Sequence, residues 1–479
     1  MNRILSNVAW RFAEQISSYS VTFIVSIIIA RILAPEDYGS IAIIMVFITL
    51  ANIFVQNGFS AALIQKKNAD NLDFSSIFYF ILAFSTVLYA ILFVISPYVA
   101  SYYNSDVLCP ALRVLGLRLI IGTVNTVQQA VIAKRMIFRK NFFSTLGGNV
   151  VSGILGLVAA YEGLGLWALI IQNLSHLIVT TIILWYTVKW RPILAFSWKR
   201  LKGLLNFGWK LMASALAGAI YDDLRTLIIG KVYSKSDLAY YSRGQQFPQL
   251  IMNNVNNAVS SVTFPVLSEK QDNKDDLANS NRRLIQIMSG VISPLLVGLA
   301  IVAEPLVHII LTDKWLSCVP FLRVCCIFYW LTCIYNAYLT SYKAIGNSGL
   351  ALKIELIDDI IGIILIVCFF RISVMAIAMV TVISRIAAFL VCWFITKNIF
   401  NVPIRNQISD SLMPVLLAIV ISPLLWYIGI WVYYPIIAIF IQLFVGVALY
   451  CVVAYFLKLP IMIEIKHILN KKNNKRIIK

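Results

Sequence analysis

Apolar stretches, each long enough to cross a membrane as a helix of about 20 residues, follow one another along almost the whole chain. Hydrophobic residues make up 60% of the 479 residues, and charged residues only 13%. A soluble domain of this size would not bury so much apolar surface, so lipid must cover it. We therefore expect an all-α, polytopic membrane protein with about 14 transmembrane helices.

Short polar breaks separate these stretches and set their limits. The predicted transmembrane spans are Trp10–Leu33, Tyr38–Ile64, Phe74–Tyr98, Ala111–Ala133, Ser144–Tyr161, Trp167–Val188, Phe207–Val232, Phe247–Leu267, Ile285–Leu311, Pro320–Ala344, Leu350–Phe370, Val374–Thr396, Leu412–Trp431 and Pro435–Leu457.

Several short segments of the first half return, in the same order, in the second half. The matched pairs are 7–11 with 206–210, 29–33 with 229–233, 37–39 with 237–239, 97–115 with 305–325, and 165–168 with 374–377. Six predicted helices separate the members of each pair, so both copies have the same orientation in the membrane. We expect two pseudo-symmetric six-helix bundles, residues 1–200 and 201–400. Residues 401–479 add two further transmembrane helices and a basic cytoplasmic tail. Such duplicated membrane proteins are usually transporters.

The distribution of basic residues predicts the orientation of the helices. If the N-terminus is cytoplasmic and the helices alternate, most of the 40 Lys and Arg residues fall on cytoplasmic segments. Both termini are then cytoplasmic, and the net charge of +19 is explained. Because the basic residues are spread over many loops and form no single stripe, we expect no binding to nucleic acid.

Five basic residues stand where the helices approach the predicted outer side: Arg31, Arg113, Arg118, Lys231 and Arg323. Arg31 and Lys231 occupy matching positions in the repeats, as do Arg113 and Arg323. Guanidinium groups suit phosphate because they stay charged and offer paired, directional donors. The five are candidate ligands of a diphosphate. Alternatively, they are interfacial anchors that extend toward water.

Four further charged residues lie within predicted helices, where a charge needs a partner, water or a ligand: Asp222, Asp223, Arg225 and Glu304. Asp222 and Arg225 are three residues apart and share a helix face. The four are candidates for cavity charge or for ion coupling. The alternative is internal neutralisation, which would make them purely structural.

Amide side chains recur on the fourth and eighth predicted helices. The candidates are Asn125, Gln128, Gln129, Asn253 and Asn256. Amides both donate and accept hydrogen bonds, so on a cavity wall they suit sugar hydroxyls. They equally serve as hydrogen-bonding contacts between neighbouring helices.

Signatures of soluble enzymes and of metal sites are missing from the sequence. There is no phosphate-cradling P-loop, no HExxH motif and no acidic cluster in a polar loop. The eight cysteines form no CxxC motif, and the chain has three histidines. We expect no catalytic residue, no bound metal and no cofactor.

Six segments carry a family resemblance that spans essentially the whole chain: Ala30–Gly39, Phe207–Lys210, Leu227–Lys231, Tyr240–Gln246, Asp313–Trp315 and Pro320–Arg323. In order and spacing they resemble the polysaccharide flippases of the Wzx type. These belong to the multidrug/oligosaccharidyl-lipid/polysaccharide exporters, the MATE-like superfamily. The resemblance is strongest to the branch named after the colanic-acid flippase.

The resemblance implies a V-shaped pair of helical bundles around a largely basic cavity. It implies alternating access that flips undecaprenyl-diphosphate-linked oligosaccharide from the cytoplasmic to the outer leaflet of the bacterial inner (plasma) membrane, for surface polysaccharide biosynthesis. The implied partners are that lipid-linked oligosaccharide, membrane lipids and polysaccharide polymerase machinery. The family has no short motif from which site residues transfer, so the candidates above rest on charge and helix position.

Two alternative functions stay open at this point. A drug/cation antiporter of the same superfamily predicts a cavity dominated by carboxylates, and Asp222 and Asp223 keep it in view. A membrane-embedded polysaccharide polymerase or ligase predicts a sizeable outer loop for chemistry at the lipid–sugar bond. The predicted outer loops are short, and the duplication favours transport.

Overall fold

The computed structural model describes residues 2–56, 63, 70–269 and 274–457. Within these residues the chain forms fourteen α-helices and one 3-10 helix, and it forms no strand. In chain order they are α1 (Asn2–Ile32), α2 (Pro35–Gln56), α3 (Asn71–Tyr102), α4 (Leu108–Arg135), α5 (Phe138–Tyr161), α6 (Leu166–Thr187), α7 (Trp198–Val232), α8 (Lys235–Glu269), α9 (Lys274–Leu311), the 3-10 helix (Asp313–Cys318), α10 (Val319–Ala344), α11 (Ser348–Phe369), α12 (Val374–Phe400), α13 (Ile404–Trp431) and α14 (Pro435–Phe456).

Each predicted span falls on one of these helices, so the prediction of an all-α polytopic fold is confirmed. Most of the helices are longer than the predicted spans, because polar residues at their ends continue the helix. The end of the second predicted span, from residue 57 to 64 apart from Leu63, lies outside the described residues, as does the basic tail from 458 onward.

Within the described residues, eleven helical segments are long and apolar enough to cross a membrane. Helices α7, α8 and α11 are not among these segments, although they lie at predicted spans; α11 is strongly apolar but carries four charged residues. Charges and amides account for the difference: α7 contains Asp222, Asp223 and Arg225, and α8 contains Asn253 and Asn256. The helices least suited to lipid thus carry many of the predicted site residues, as expected of helices that face protein or water.

The chain divides into two compact units, one from Met1 to Ala239 and the other from Tyr240 to Lys479. We call them unit 1 and unit 2. The division lies inside α8, whereas the sequence repeat predicts a boundary after residue 200. The repeat boundaries stay a prediction, because spatial packing and internal repetition are separate properties of a chain.

Unit 1 is built on the pairing of α5 with α6, against which α1 and α4 pack. The linker between α6 and α7 is anchored by an apolar cluster that includes Phe74, Ile77, Val131 and Trp190. The rings of Phe74 and Trp190 lie with their centroids 6.1 Å apart. The linker is therefore packed firmly against α3 and α4.

The repeated segments around residues 30–43 and 230–236 contact each other within unit 1. A Cβ atom at Gly39 would lie 1.9 Å from the carbonyl oxygen of Lys235, so only glycine fits there. Beside it, the Ser236 hydroxyl donates a hydrogen bond to Glu36. The turn between α1 and α2 thus packs directly on its counterpart between α7 and α8.

In unit 2, α9 packs against α10, α13 and α14, and α12 packs against α10 and α11. Trp315, Tyr338 and Tyr342 are among the largest fully buried side chains. A buried ion pair joins α11 to α12, with 3.0 Å between Arg385 Nη1 and Asp358 Oδ2. Polar contacts of this kind fix the positions of membrane helices, because lipid is as apolar as the helix surfaces and the hydrophobic effect does not bring the helices together.

Candidate functional site

The matched arginines of the two repeats, Arg113 and Arg323, have corresponding contacts. Each contacts the residue just before a proline within an earlier helix: Ser96 before Pro97 in α3, and Glu304 before Pro305 in α9. Arg113 Nε donates to Ser96 Oγ at 2.9 Å, and its guanidinium stacks 4.0 Å from the Phe93 ring centroid. Arg323 Nη2 lies 3.8 Å from Glu304 Oε2. The same position is thus held by a neutral hydroxyl in unit 1 and by a carboxylate in unit 2.

Arg118 and Lys231, two further predicted diphosphate ligands, also have neutral partners. Arg118 Nη1 donates to Asn173 Oδ1 at 2.9 Å. Lys231 Nζ donates to the carbonyl oxygen of Tyr102 and lies 4.2 Å from the centroid of that ring. Arg31 is exposed at the end of α1. Four of the five predicted diphosphate ligands therefore belong to unit 1, and Arg323 belongs to unit 2.

The charged residues within α7 form a local cluster, as their spacing predicts. Arg225 is buried and donates from Nη2 to Asp222 Oδ1 at 2.9 Å. The ring centroid of Tyr221 lies 5.4 Å from its guanidinium carbon. Asp223 is half-buried, and its Oδ2 atom has no hydrogen-bond partner among the described residues. Asp222 is thus neutralised by Arg225, which leaves Asp223 as the carboxylate with a free oxygen.

The predicted amides of α4 lie in different surroundings. Gln128 is fully buried and donates to the carbonyl oxygen of Trp190 at 3.3 Å, so it ties α4 to the linker. Gln129 Nε2 donates to Asn141 Oδ1 at 2.7 Å. The Asn125 Oδ1 atom is buried without a hydrogen-bond partner in the part of the chain described. The Oε1 atom of Gln128 likewise has no partner among the described residues, so two of the three amides keep an unpaired oxygen.

The predicted amides of α8 lie beyond the division between the units. Asn253 is exposed, and Asn256 has a buried Oδ1 atom with no partner among the described residues. Their role as sugar ligands stays a prediction.

Glu14, a buried carboxylate of α1 that is not among the predicted site residues, lies at the centre of a polar network. Asn141 Nδ2 donates to Glu14 Oε1 at 2.6 Å, and Arg11 Nη1 donates to Glu14 Oε2 at 2.8 Å. Through Asn141 this network reaches Gln129. The spacing of Arg11 and Glu14, three residues apart on one helix, was the available signal.

A cavity of 390 Å³ lies inside unit 1, between α1, α5 and α6. We call it the α1–α5–α6 cavity. Its walls are formed by Ser18, Tyr19, Thr22, Val25, Ser26, Tyr38, Asn149, Ser152, Leu169, Gln172, Asn173 and His176. Ten of these twelve side chains carry a polar group. None of them is among the site residues predicted from the sequence, because each is unremarkable alone.

Close packing of α5 on α6 brings the polar residues of this cavity together. A Cβ atom at Gly148 would lie 2.1 Å from Thr180 Oγ1 and 3.2 Å from His176 Nδ1. Ser144 Oγ donates to the Thr180 carbonyl oxygen at 2.8 Å, on the same line of contact. Glycine at position 148 thus allows the approach that sets Asn149 opposite His176.

A second cavity, of 570 Å³, opens in unit 2 between α9, α10, α13 and α14. We call it the α9–α14 groove. Glu304, His308 and Arg323 lie on one side of it, and Trp426 and Tyr433 on the other. Two ion pairs lie along this side of the groove: Glu304 with Arg323, and His308, through Nδ1, with Asp313.

In the part of the chain that the structure describes, no group of three His, Cys, Asp or Glu residues is arranged to hold a metal ion. What the two cavities offer instead is hydrogen bonding and charge: neutral polar walls in unit 1, and a mixed charged and aromatic wall in unit 2.

Comparison with known proteins places the chain among proteins of polysaccharide synthesis. A family model described as polysaccharide biosynthesis protein matches residues 28–320. The succinoglycan biosynthesis transport protein ExoT of Rhizobium meliloti (strain 1021) is 22% identical over 346 residues, which cover 72% of this chain and 70% of ExoT. The lipopolysaccharide biosynthesis protein WzxC of Escherichia coli (strain K12) is 22% identical, over 68% of this chain and 66% of WzxC. The teichuronic acid biosynthesis protein TuaB of Bacillus subtilis (strain 168) is 24% identical, over 63% of either chain. The chain thus matches slightly less than two thirds of WzxC and TuaB.

Solved structures match over a larger part of the chain. The lipid II flippase MurJ in its inward closed conformation has a TM-score of 0.76 at 16% identity, covering 94% of this chain and 99% of MurJ. An inward-facing MATE multidrug resistance transporter of the MOP superfamily has a TM-score of 0.63 at 17% identity, covering 79% and 95%. At these identities the matches establish a shared fold.

Proposed function

Because the chain belongs to the polysaccharide biosynthesis protein family, we propose that it is a transporter that flips a lipid-linked oligosaccharide across the bacterial inner membrane. The cargo is undecaprenyl-diphosphate-linked oligosaccharide, moved from the cytoplasmic to the outer leaflet by alternating access. Both termini are cytoplasmic. The flipped units supply polysaccharide polymerase machinery on the outer side. Transport relatives such as ExoT and the fold shared with the flippase MurJ support this proposal.

The charge of unit 1 carries the proposal. Arg113, Arg118 and Lys231 have neutral partners among the described residues, so their positive charges are uncompensated. Uncompensated cations in a largely apolar bundle are costly unless water or an anionic ligand accompanies them. A diphosphate provides that anion, and guanidinium groups bind it with paired hydrogen bonds.

The same contacts weigh against a drug/cation antiporter, which needs carboxylates at its binding site. Asp222 is paired with Arg225 and Glu304 lies beside Arg323, which leaves Asp223 as the single unpaired carboxylate among the predicted site residues that the structure describes. The described lining of the α1–α5–α6 cavity contains no carboxylate. An anionic, sugar-bearing cargo fits these surroundings better than a cation.

The proposal is tested by comparing Arg113→Ala with Arg323→Ala, which serves as its matched control. Arg113 has a neutral partner, so its loss removes a cation available to the diphosphate. Arg323 is already balanced by Glu304. In cells whose own gene is deleted, and at equal protein levels, we expect Arg113→Ala to lower the export of surface polysaccharide by about tenfold or more, the effect of losing one charge-assisted hydrogen bond. Arg323→Ala should have a smaller effect.

Two results would count against different parts of the proposal. If cells lacking the protein display normal surface polymer and accumulate no lipid-linked oligosaccharide, the function is wrong. If the deletion blocks export but Arg113→Ala restores it as well as the unaltered protein does, the function stands and Arg113 is not a ligand.

A further inference from the structure

The walls of the α1–α5–α6 cavity are far more polar than the helices that form them. Helices α1, α5 and α6 each contain a segment apolar enough to cross a membrane. Yet hydroxyl, amide and imidazole groups converge on one space of 390 Å³ between them. Polar groups at membrane depth face water or a ligand, because an unsatisfied group in hydrocarbon is costly. This space therefore holds something polar.

The charge of the cavity selects the kind of ligand. No Asp, Glu, Lys or Arg is among its described lining residues, so neither a cation nor a free anion finds a counter-charge at the wall. Arg118 is not one of the lining residues; it donates from Nη1 to Asn173 Oδ1 at 2.9 Å, so the wall residue Asn173 lies between Arg118 and the cavity. The wall itself presents neutral donors and acceptors, which suit a neutral ligand rich in hydroxyl groups.

Hydrogen-bonding capacity is left unused on this wall. The buried Nδ1 atom of His176 has no hydrogen-bond partner among the described residues, and the half-buried side chain of Gln172 lines the same wall. Asn149 donates to Ser18 Oγ at 2.7 Å, which leaves its own oxygen able to accept. Because buried polar groups are nearly always satisfied, these open positions indicate a partner that arrives from outside the protein.

The volume and the lining of the cavity suit a ring-shaped ligand with one polar edge and one less polar face. Its volume lies within the roughly 300–1,000 Å³ of small-molecule sites. Tyr19 and Tyr38 add aromatic surface to the polar wall. A sugar ring presents hydroxyl groups at its edge and C–H groups on its faces, so it matches both kinds of surface.

We propose that the α1–α5–α6 cavity binds one sugar ring of the transported oligosaccharide, with Gln172, Asn149 and His176 as hydrogen-bonding ligands. This inference rests on the proposed function and makes it more specific. The glycan is recognised inside unit 1, away from the amides of α4 and α8 that the sequence pointed to. The cavity then sets which sugars are accepted, whereas the basic residues bind the diphosphate of any such lipid.

The test uses the full-length protein in lipid nanodiscs and two probes. The first probe is lipid-linked oligosaccharide extracted from cells that lack the protein. The second is undecaprenyl diphosphate prepared from it by removing the sugars. The unaltered protein should bind the sugar-bearing lipid at least about tenfold more tightly, the effect of one well-formed hydrogen bond.

Two variants and a control assign the preference to the cavity. Gln172→Leu and Asn149→Leu each replace an amide by an apolar side chain of similar volume, and each should erase most of the preference with little change in the affinity for the sugar-free lipid. Gln15→Leu is the matched control: Gln15 lies on α1 outside the cavity, with a long contact of 3.5 Å to Tyr19. It should leave the preference unchanged.

The outcomes separate the inference from the proposed function. Equal affinity of the unaltered protein for the two lipids would mean a cavity filled by water and would overturn the sugar site alone. A preference that survives both cavity variants, in proteins of unchanged thermal stability, would also overturn it. If the deletion cells yield no lipid-linked oligosaccharide, or if neither lipid binds, the proposed function itself fails.

Discussion

Single residues at matching positions of the two repeats have different electrostatic surroundings. Arg113 meets a serine hydroxyl and Arg323 meets a glutamate, although the sequence motifs around both arginines are alike. The role of such a residue follows from the atom that faces it, because a carboxylate cancels the charge and a hydroxyl does not. The two arginines are therefore expected to differ in function.

The pair formed by Asp70 and Arg200 gives a prediction about pH. A hydrogen bond of 2.5 Å from Arg200 Nη1, together with one from the Asp73 backbone N–H, lowers the pKa of Asp70 to about 2. A carboxyl whose pKa is depressed in the folded state stabilises that state above its unfolded pKa of about 3.9, and this contribution is lost as the pH falls toward 2. Asp70→Asn keeps an acceptor for the helix cap of α3 but removes the charge.

We therefore expect Asp70→Asn to lower the thermal unfolding temperature of the purified protein by a constant amount above about pH 5, and this difference to shrink between about pH 4 and pH 2. Asp106→Asn, at an exposed carboxylate with no ion-pair partner among the described residues, should show no such trend. A difference that is independent of pH over this range would show that the ion pair does not stabilise the fold.

At the scale of elements, polar contacts attach the last two helices to unit 2. Asp410 of α13 accepts from Arg282 of α9 at 2.6 Å and 3.1 Å, through Nε and Nη2. Ser289 of α9 donates to a backbone carbonyl of α13 at 2.6 Å, and Tyr450 of α14 donates to one of α9 at 3.1 Å. In lipid such bonds contribute strongly to helix association, because apolar contact alone gives little preference between a helix and lipid.

Asp410→Asn should therefore loosen the attachment of α13 and α14 to α9. We expect a loss of about 2 kcal/mol in unfolding free energy, less than for a fully buried pair because Arg282 keeps about a third of its surface exposed. The measurement is thermal unfolding in detergent together with limited proteolysis of the C-terminal helices.

The double variant Arg282→Gln/Asp410→Asn provides the control for this prediction. It removes both charges and so leaves no unpaired charge behind. Its loss of unfolding free energy should therefore be smaller than the sum of the losses in the two single variants. If the single changes add without coupling, the ion pair does not hold these helices.

At the scale of the whole molecule, the distribution of basic residues predicts which loops face the cytoplasm. Alkaline phosphatase fused after Gly163, in the turn between α5 and α6, should be active. The same fusion after Arg191, in the linker between α6 and α7, should be inactive, and a fluorescent protein fused at the C-terminus should fluoresce. The reverse pattern of activities would contradict cytoplasmic termini.

The number, order and positions of the helices followed from the sequence. The relation to proteins of polysaccharide biosynthesis also followed, and the family match confirms it, whereas the duplication stays a prediction. These features are local or repetitive: a run of apolar residues is long enough to cross lipid wherever it occurs. The pairing of Asp222 with Arg225 was predictable for the same reason, because helical spacing alone brings them together.

The tertiary structure alone decided which polar residues share a space. Asn149, Gln172 and His176 stand on three different turns of two helices, and they converge only because glycine at position 148 lets α5 and α6 touch. Lipid and protein interior are similarly apolar, so hydrophobic periodicity does not reveal how a membrane helix is rotated about its axis. Rotation and close packing, which the sequence leaves unspecified, determine whether an amide faces a cavity, a neighbouring helix or a cation.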